Sequence, residues 1–294
     1  MKKTTTQHGF TMIELMIAMA LGLIIIAAAV GVYLANYRNL ATQRSGSEMQ
    51  SASMFGVQPL EARLRLANLG SDVTSITDAT DNSGIVLTSA NASAVTDTAL
   101  HSNTGTGSSN TATGSDQLTI QFTNETGFAI YDCEGNEVAD KARSIERYFV
   151  RNGANGNLVL ACDAGTFSGG ALSNFGDDGV ELISDVDLFR YLIGVQTITS
   201  GGTTIRFYTA DNYKALSAAN KPQIVMIRAG IIARGSTPMT GLEGLSEFTL
   251  LGQSETINGG VSTNFVRNTF ETTTLLRNAR AISYHANDTG ININ

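Results

Sequence analysis

Three small groups of residues in this 294-residue chain have types and spacings that could do chemistry. The first is the junction Gly9-Phe10, where a basic polar leader, MKKTTTQHG, meets an apolar run that carries one early charge, Glu14. Hydrolysis after the small residue Gly9 would remove the leader and keep the apolar segment, leaving Glu14 as the fifth residue of the shortened chain. The second is the pair Cys133 and Cys162, which could be oxidised to one disulfide. The third is the histidines and carboxylates that acid-base or nucleophilic chemistry would need: the histidines are few, and the plentiful carboxylates, as at Asp177-Asp178 and Asp185/Asp187, read as a solvated surface in a chain of net charge −7. His8 leaves with the leader, and His101 and His285 stand in no motif with a nucleophile or at a metal-binding spacing.

The element that must position Glu14 follows from the run itself. Leu15 to Ala35 holds no charge, and a helix over those residues covers about 31 Å, the thickness of a bilayer core. An ordinary secretory signal has a shorter apolar core, about 7–15 residues, with its cleavage site behind it, whereas Gly9 lies in front. A carboxylate at this depth costs roughly 2.5–3.5 kcal/mol, so Glu14 needs a partner or sits at headgroup level. Lys2 and Lys3 favour a cytoplasmic N-terminus, although Arg38 and Arg44 on the far side reduce the asymmetry. The rest of the chain is then expected in the periplasm.

The segment GFTMIELMIAMALG resembles the class III leader and N-methylation motif of type IV pilins and pseudopilins. The resemblance implies that prepilin peptidase cuts between Gly9 and Phe10 and methylates Phe10. It also implies that Glu14 pairs with the N-terminal amine of a neighbouring subunit. Two membrane-level charges one helical turn apart can neutralise each other between staggered subunits. A plain single-pass anchor with a coincidental Gly-Phe-x-x-x-Glu is the bland alternative.

Beyond the span, residues 36–70 read as an amphipathic helix. Met49, Ala52, Gly56, Leu60, Leu64 and Ala67 form a stripe at three- and four-residue steps that should pack under a head. Pro59 predicts a break near Val57 or Gln58, and Gly70 a stop. Residues 71–115 are rich in Ser, Thr, Asn and Gly with one apolar island at Ile85 to Leu87, and 91–115 is expected to be a flexible loop. Its Gly105-Thr106-Gly107 is no phosphate cradle, lacking a third glycine and flanking elements.

From Asp116 the pattern is that of strands: Leu118–Phe122, Phe128–Tyr131, Ile145–Val150, Leu158–Ala161, Tyr191–Ile198, Thr204–Tyr208, Ile224–Ala233, Glu247–Leu251 and Thr269–Leu276. Arg151 to Gly156 is a hairpin loop. The expected fold class is α+β, a long N-terminal helix packed on an antiparallel sheet in a head spanning 71–294. An exported cysteine pair is usually a disulfide, and closing the 29-residue loop between Cys133 and Cys162 would stabilise by about 3.6 kcal/mol, stapling the hairpin at its base. Two thiols alone make a poor zinc site. A calcium site in the Asp177-Asp178-Gly179 turn stays open as the lesser alternative to a solvated acidic turn, since the spaced carboxylates of a recognisable calcium loop are missing.

The formal charge is −7, from 19 basic and 26 acidic side chains. Removing Lys2 and Lys3 leaves 17 against 26, or −9, which gives no general attraction to nucleic acid. No cofactor, metal or catalytic activity is expected.

Several dispersed stretches resemble the PilW-type minor pilins: Gly114 to Ile120, Tyr131 to Gly135, Leu158 to Cys162, Gly179 to Leu182, Arg190 to Val195, Ile224 to Gly230 and Thr274 to Asn278. The chain is also long for a major pilin. The resemblance implies a minor pilin that primes assembly and remains at the pilus tip. Its partners would be prepilin peptidase, other minor pilins, the major pilin, the pilus assembly platform and the inner membrane. A type II secretion pseudopilin, and a tip adhesin or DNA-uptake subunit using 91–115 as its contact surface, are the alternatives.

Overall fold

The structure, a computed structural model, describes residues 9–52, 57–73, 75–168, 170–199, 202–218, 221–238, 244–276 and 279. Helix α1, Met12–Ala52, covers the expected span and continues past it. It is apolar around its whole circumference as far as Ala35 and carries no proline, so nothing interrupts the ladder of backbone bonds. No part of its apolar window is buried inside the chain. A second helix, α2, spans Gln58–Leu64, with Pro59 in the first turn, where its missing N–H costs nothing. Val57 is itself helical, and the bend expected beside it depends on residues 53–56, which lie outside the described residues.

Leu60 and Leu64 of α2, and Ala67 just beyond it, are buried, so the second part of the predicted stripe does face the head. The side chains of the stripe's first part, Met49, Ala52 and Gly56, lie outside the described residues. Residues 36–47 stay largely exposed, with Ser45 the one fully buried side chain, set against Gly235. The helix also stops at Leu64, earlier than Gly70, and Gly70 serves a later turn at φ +63°.

Two antiparallel sheets form the head. The first runs in the order β1 (Asn103–Gly107), β2 (Ser115–Thr123), β5 (Arg143–Asn152), β6 (Leu158–Ser168) and β7 (Ala171–Ser173), with β8 (Val180–Ile183) also on β6. Between β2 and β5 lies a small hairpin, β3 (Ile130–Tyr131) with β4 (Glu137–Val138). The second sheet has β9 (Val186–Thr199) between β10 (Gly202–Tyr208) and β11 (Gln223–Arg234), and β14 (Arg267–Leu275) beyond β11. A short helix, α3 (Ala210–Lys214), and a hairpin of β12 (Glu247–Leu250) with β13 (Gln253–Thr256) complete it.

One core joins both sheets to α2. Leu118, Ile120, Tyr148 and Leu160 of the first sheet meet Phe189, Tyr191, Ile193 and Ile227 of the second, together with Leu60 and Leu64. Alternation explains the faces: on β2, Leu118, Ile120 and Phe122 point one way and Thr119 and Gln121 the other.

That polar face is not left to water, and this overturns the expectation of a flexible loop at 91–115. The stretch before β2 lies over it, hydrogen-bonding as it goes. Gln121 Nε2 donates to the carbonyls of Ser83 and Asn91 at 2.7 and 2.8 Å, and Thr119 Oγ1 to that of Leu100 at 2.7 Å. Asn91, fully buried, accepts from the N–H groups of Leu87 and Thr88 and donates to the carbonyls of Thr77 and Thr80. Val86, Ala92 and Val95 then close a second small core against Ile145. Polar side chains satisfy the buried backbone here in place of a regular ladder, so composition misleads.

Candidate functional site

At the N-terminal end Gly9 and Phe10 precede the first turn of α1, and Phe10 is 92% exposed. Thr11 and Glu14 form a reciprocal cap. The Thr11 backbone N–H and its hydroxyl both donate to Glu14 Oε2 at 2.9 Å, and the Glu14 N–H donates to Thr11 Oγ1 at 3.4 Å. This is the Thr-x-x-Glu arrangement that supplies partners to the orphan N–H groups of a helix start. The Thr-x-x-Glu spacing that signals it is present in the sequence as Thr11-Met12-Ile13-Glu14. The cap holds the Glu14 carboxylate in the first turn, four residues from Phe10.

The cysteines form the expected disulfide, Cys133 to Cys162, with Cα atoms 6.2 Å apart. It does not staple the β5–β6 hairpin at its base. Cys133 lies in the turn between β3 and β4, and Cys162 is on β6, so the bond pins the small hairpin to the first sheet. Beside it Glu146 on β5, fully buried, gathers three elements. It accepts from Arg63 of α2 through both oxygens, from the Cys133 N–H at 3.1 Å and from the Tyr148 hydroxyl at 2.5 Å. Burial, and then the neighbouring Glu146 carboxylate, hold the Tyr148 phenol protonated well above its usual range. Sequence spacing gave no sign of this hub, because its members come from three separate elements.

His101 is buried with Nε2 2.9 Å from the carbonyl of Val95, a structural contact. His8 and His285 lie outside the described residues. Asp187, one of the surface carboxylates of the sequence reading, is in fact fully buried and paired with Arg267 at 2.6 Å.

Residues 4–30 match the family model described as the prokaryotic N-terminal methylation motif, and residues 147–278 match that of Type IV Pilus-assembly protein W. Among solved structures the chain is similar to the type IV-like pilin TTHA1219 from Thermus thermophilus. The two are 15% identical with a TM-score of 0.39, the match covering 80% of this chain and 97% of that one. No curated protein matches. A methylation motif that opens an apolar helix, followed by an antiparallel head bearing a PilW match, defines a type IV pilin. Within that class the chain is of the PilW type.

Proposed function

We propose that prepilin peptidase cleaves this chain between Gly9 and Phe10 and methylates Phe10, and that the product is a minor pilin priming pilus assembly from the tip. Before assembly α1 anchors it in the inner membrane, with a cytoplasmic N-terminus and a periplasmic head. It then joins other minor pilins and the major pilin at the pilus assembly platform, where Glu14 neutralises the N-terminal amine of a neighbour.

The observation that carries this reading is the bareness of α1. From Met12 to Ser47 the helix is long and apolar enough to cross a membrane, and none of its apolar window is covered by the head. At about 25 cal/mol per Å² of apolar surface such a helix is driven into lipid or against other helices. A subunit built this way needs only to exchange one apolar surrounding for the other. The family is one of structural pilins, and the role we assign is that of a subunit, with no reaction of its own.

Intact mass and N-terminal sequencing of the membrane-extracted protein, from cells with and without prepilin peptidase, test the processing. A chain beginning at methylated Phe10 only when the peptidase is present supports it; one that keeps Met1, or is cut behind the span, refutes it. Gold-labelled antibody to the head tests the placement: labelling along the whole shaft would refute a position at the tip.

A further inference from the structure

Three carboxylates meet beside the disulfide. Glu134 follows Cys133 and Asp163 follows Cys162, so the bond joining the sulfurs also sets these two acids side by side. Asp177 arrives from the turn before β8, and one carboxylate oxygen of each residue lies within 4.8 Å of the other two. That turn can approach because Gly179 has φ +58°; a Cβ there would stand 2.2 Å from the Cys162 carbonyl oxygen. Asp177 Oδ1 accepts from the Gly179 N–H at 2.7 Å, which shapes the turn.

The charges do not balance. Asp132 adds a fourth carboxylate, its Oδ1 accepting from the N–H groups of Glu134 and Asn136 at 3.0 and 2.8 Å. Against these four stands Arg147, whose Nε donates to Asp163 Oδ2 at 3.0 Å and whose Nη2 lies 2.8 Å from the same oxygen. Nη2 also donates to the Asp177 carbonyl at 2.6 Å, and the Gly176 N–H donates to Asp163 Oδ2 at 3.0 Å. Every donor to Asp163 thus falls on Oδ2. The other oxygen, Oδ1, belongs to a side chain with no exposure and has no hydrogen-bond partner. A buried carboxylate oxygen without a donor is rare and calls for an ion or a water. The crowding is also felt at Glu134, pushed up to about 7 by burial and then by Asp177, Asp163 and Asp132.

We propose that Glu134, Asp163 and Asp177 bind a calcium ion, with Asp163 Oδ1 as a ligand and water filling the remaining positions. The donors are all oxygen, the choice of a hard cation. Ligands at 2.3–2.6 Å from calcium stand up to about 5 Å apart, whereas magnesium, at about 2.0–2.1 Å, draws opposite ligands to roughly 4.2 Å. The site stands apart from the pilus role above. It makes the disulfide a positioning device as well as a tether, since reduction would release Glu134 from Asp163.

The test is calorimetric titration of CaCl2 into the full-length protein in detergent after treatment with EDTA. One saturable ion per chain is expected, with MgCl2 binding more weakly by about tenfold. Glu134→Gln and Asp177→Asn should each weaken calcium by about tenfold or more without lowering the melting temperature in EDTA. Asp163→Asn should abolish binding, but it also disturbs Arg147, so the two more exposed variants decide. Reductant should weaken calcium binding by a similar factor. The absence of saturable uptake by wild type, or an unchanged affinity in both Glu134→Gln and Asp177→Asn, would overturn the proposal.

Discussion

Arg63, on the short helix behind the apolar span, donates through Nε to Oε2 of Glu146 at 3.2 Å, inside the first sheet. Its Nη1 reaches the Tyr131 carbonyl at 2.7 Å, so one guanidinium grips a core carboxylate and the disulfide-bearing hairpin together. Glu146 is fully buried and Arg63 only slightly exposed. Helix α2 is therefore joined to the head by an ion pair as well as by Leu60 and Leu64.

Arg63→Ala should destabilise the head by about 3–5 kcal/mol, the cost of leaving a buried charge without its partner. Tyr148→Phe removes one neutral donor to the same carboxylate and should cost less, roughly 0.5–1.5 kcal/mol. Urea unfolding of the two variants and their double mutant would measure both, and additive effects would show that Glu146 does not couple them.

Cys133→Ser should lower stability by about 3.6 kcal/mol in the chain-entropy account. In a head of this size that is roughly 7–14 °C of melting temperature. Reductant should reproduce the drop in wild type and do nothing further to the variant, as read by thermal unfolding with and without it.

Glu134 sets a pH dependence in metal-free buffer. Its carboxyl titrates near 4.5 when unfolded and about 7 when folded, so between those values the folded state holds more protons. Its contribution is complete below about 4.5 and is lost as pH rises to 7. The difference in urea midpoint between wild type and Glu134→Gln, taken in EDTA at pH 5 and again at pH 7.5, should shift in favour of the variant at the higher pH.

Glu14→Ala keeps the apolar span and should leave membrane insertion unchanged while reducing entry into pili. Thr11→Ala, which removes only the hydroxyl half of the cap, should insert and assemble nearly normally. Fractionation of sheared pili against membranes, by immunoblot, separates the two outcomes.

The N-terminal features were legible because they are local: a small residue, an apolar run and one carboxylate state their meaning within a few residues of sequence. The long strands were legible too, since Leu118–Phe122 and Ile224–Ala233 alternate or stay apolar as buried strands must. Their division into two sheets was not, because register between strands distant in sequence leaves no local mark. Nor was the packing of 91–102: Asn91 and Gln121 bury themselves by hydrogen bonding, and hydropathy counts them as surface. The acidic cluster was hidden for a related reason. Asp177 was visible as a turn residue, but only the disulfide brings Glu134 and Asp163 to it.

The uniformity of α1 has a geometric consequence. A rod that is equally apolar on every side has no preferred azimuth in a fluid hydrocarbon layer and can spin about its long axis at almost no energetic cost. Angular position can be fixed only where the symmetry is broken, and it is broken at both ends. One end carries the lone carboxylate of Glu14; the other is set against the head through Ser45 at Gly235. Rotation of the head and rotation of the carboxylate are therefore transmitted along the same shaft, and the facing of one constrains the facing of the other.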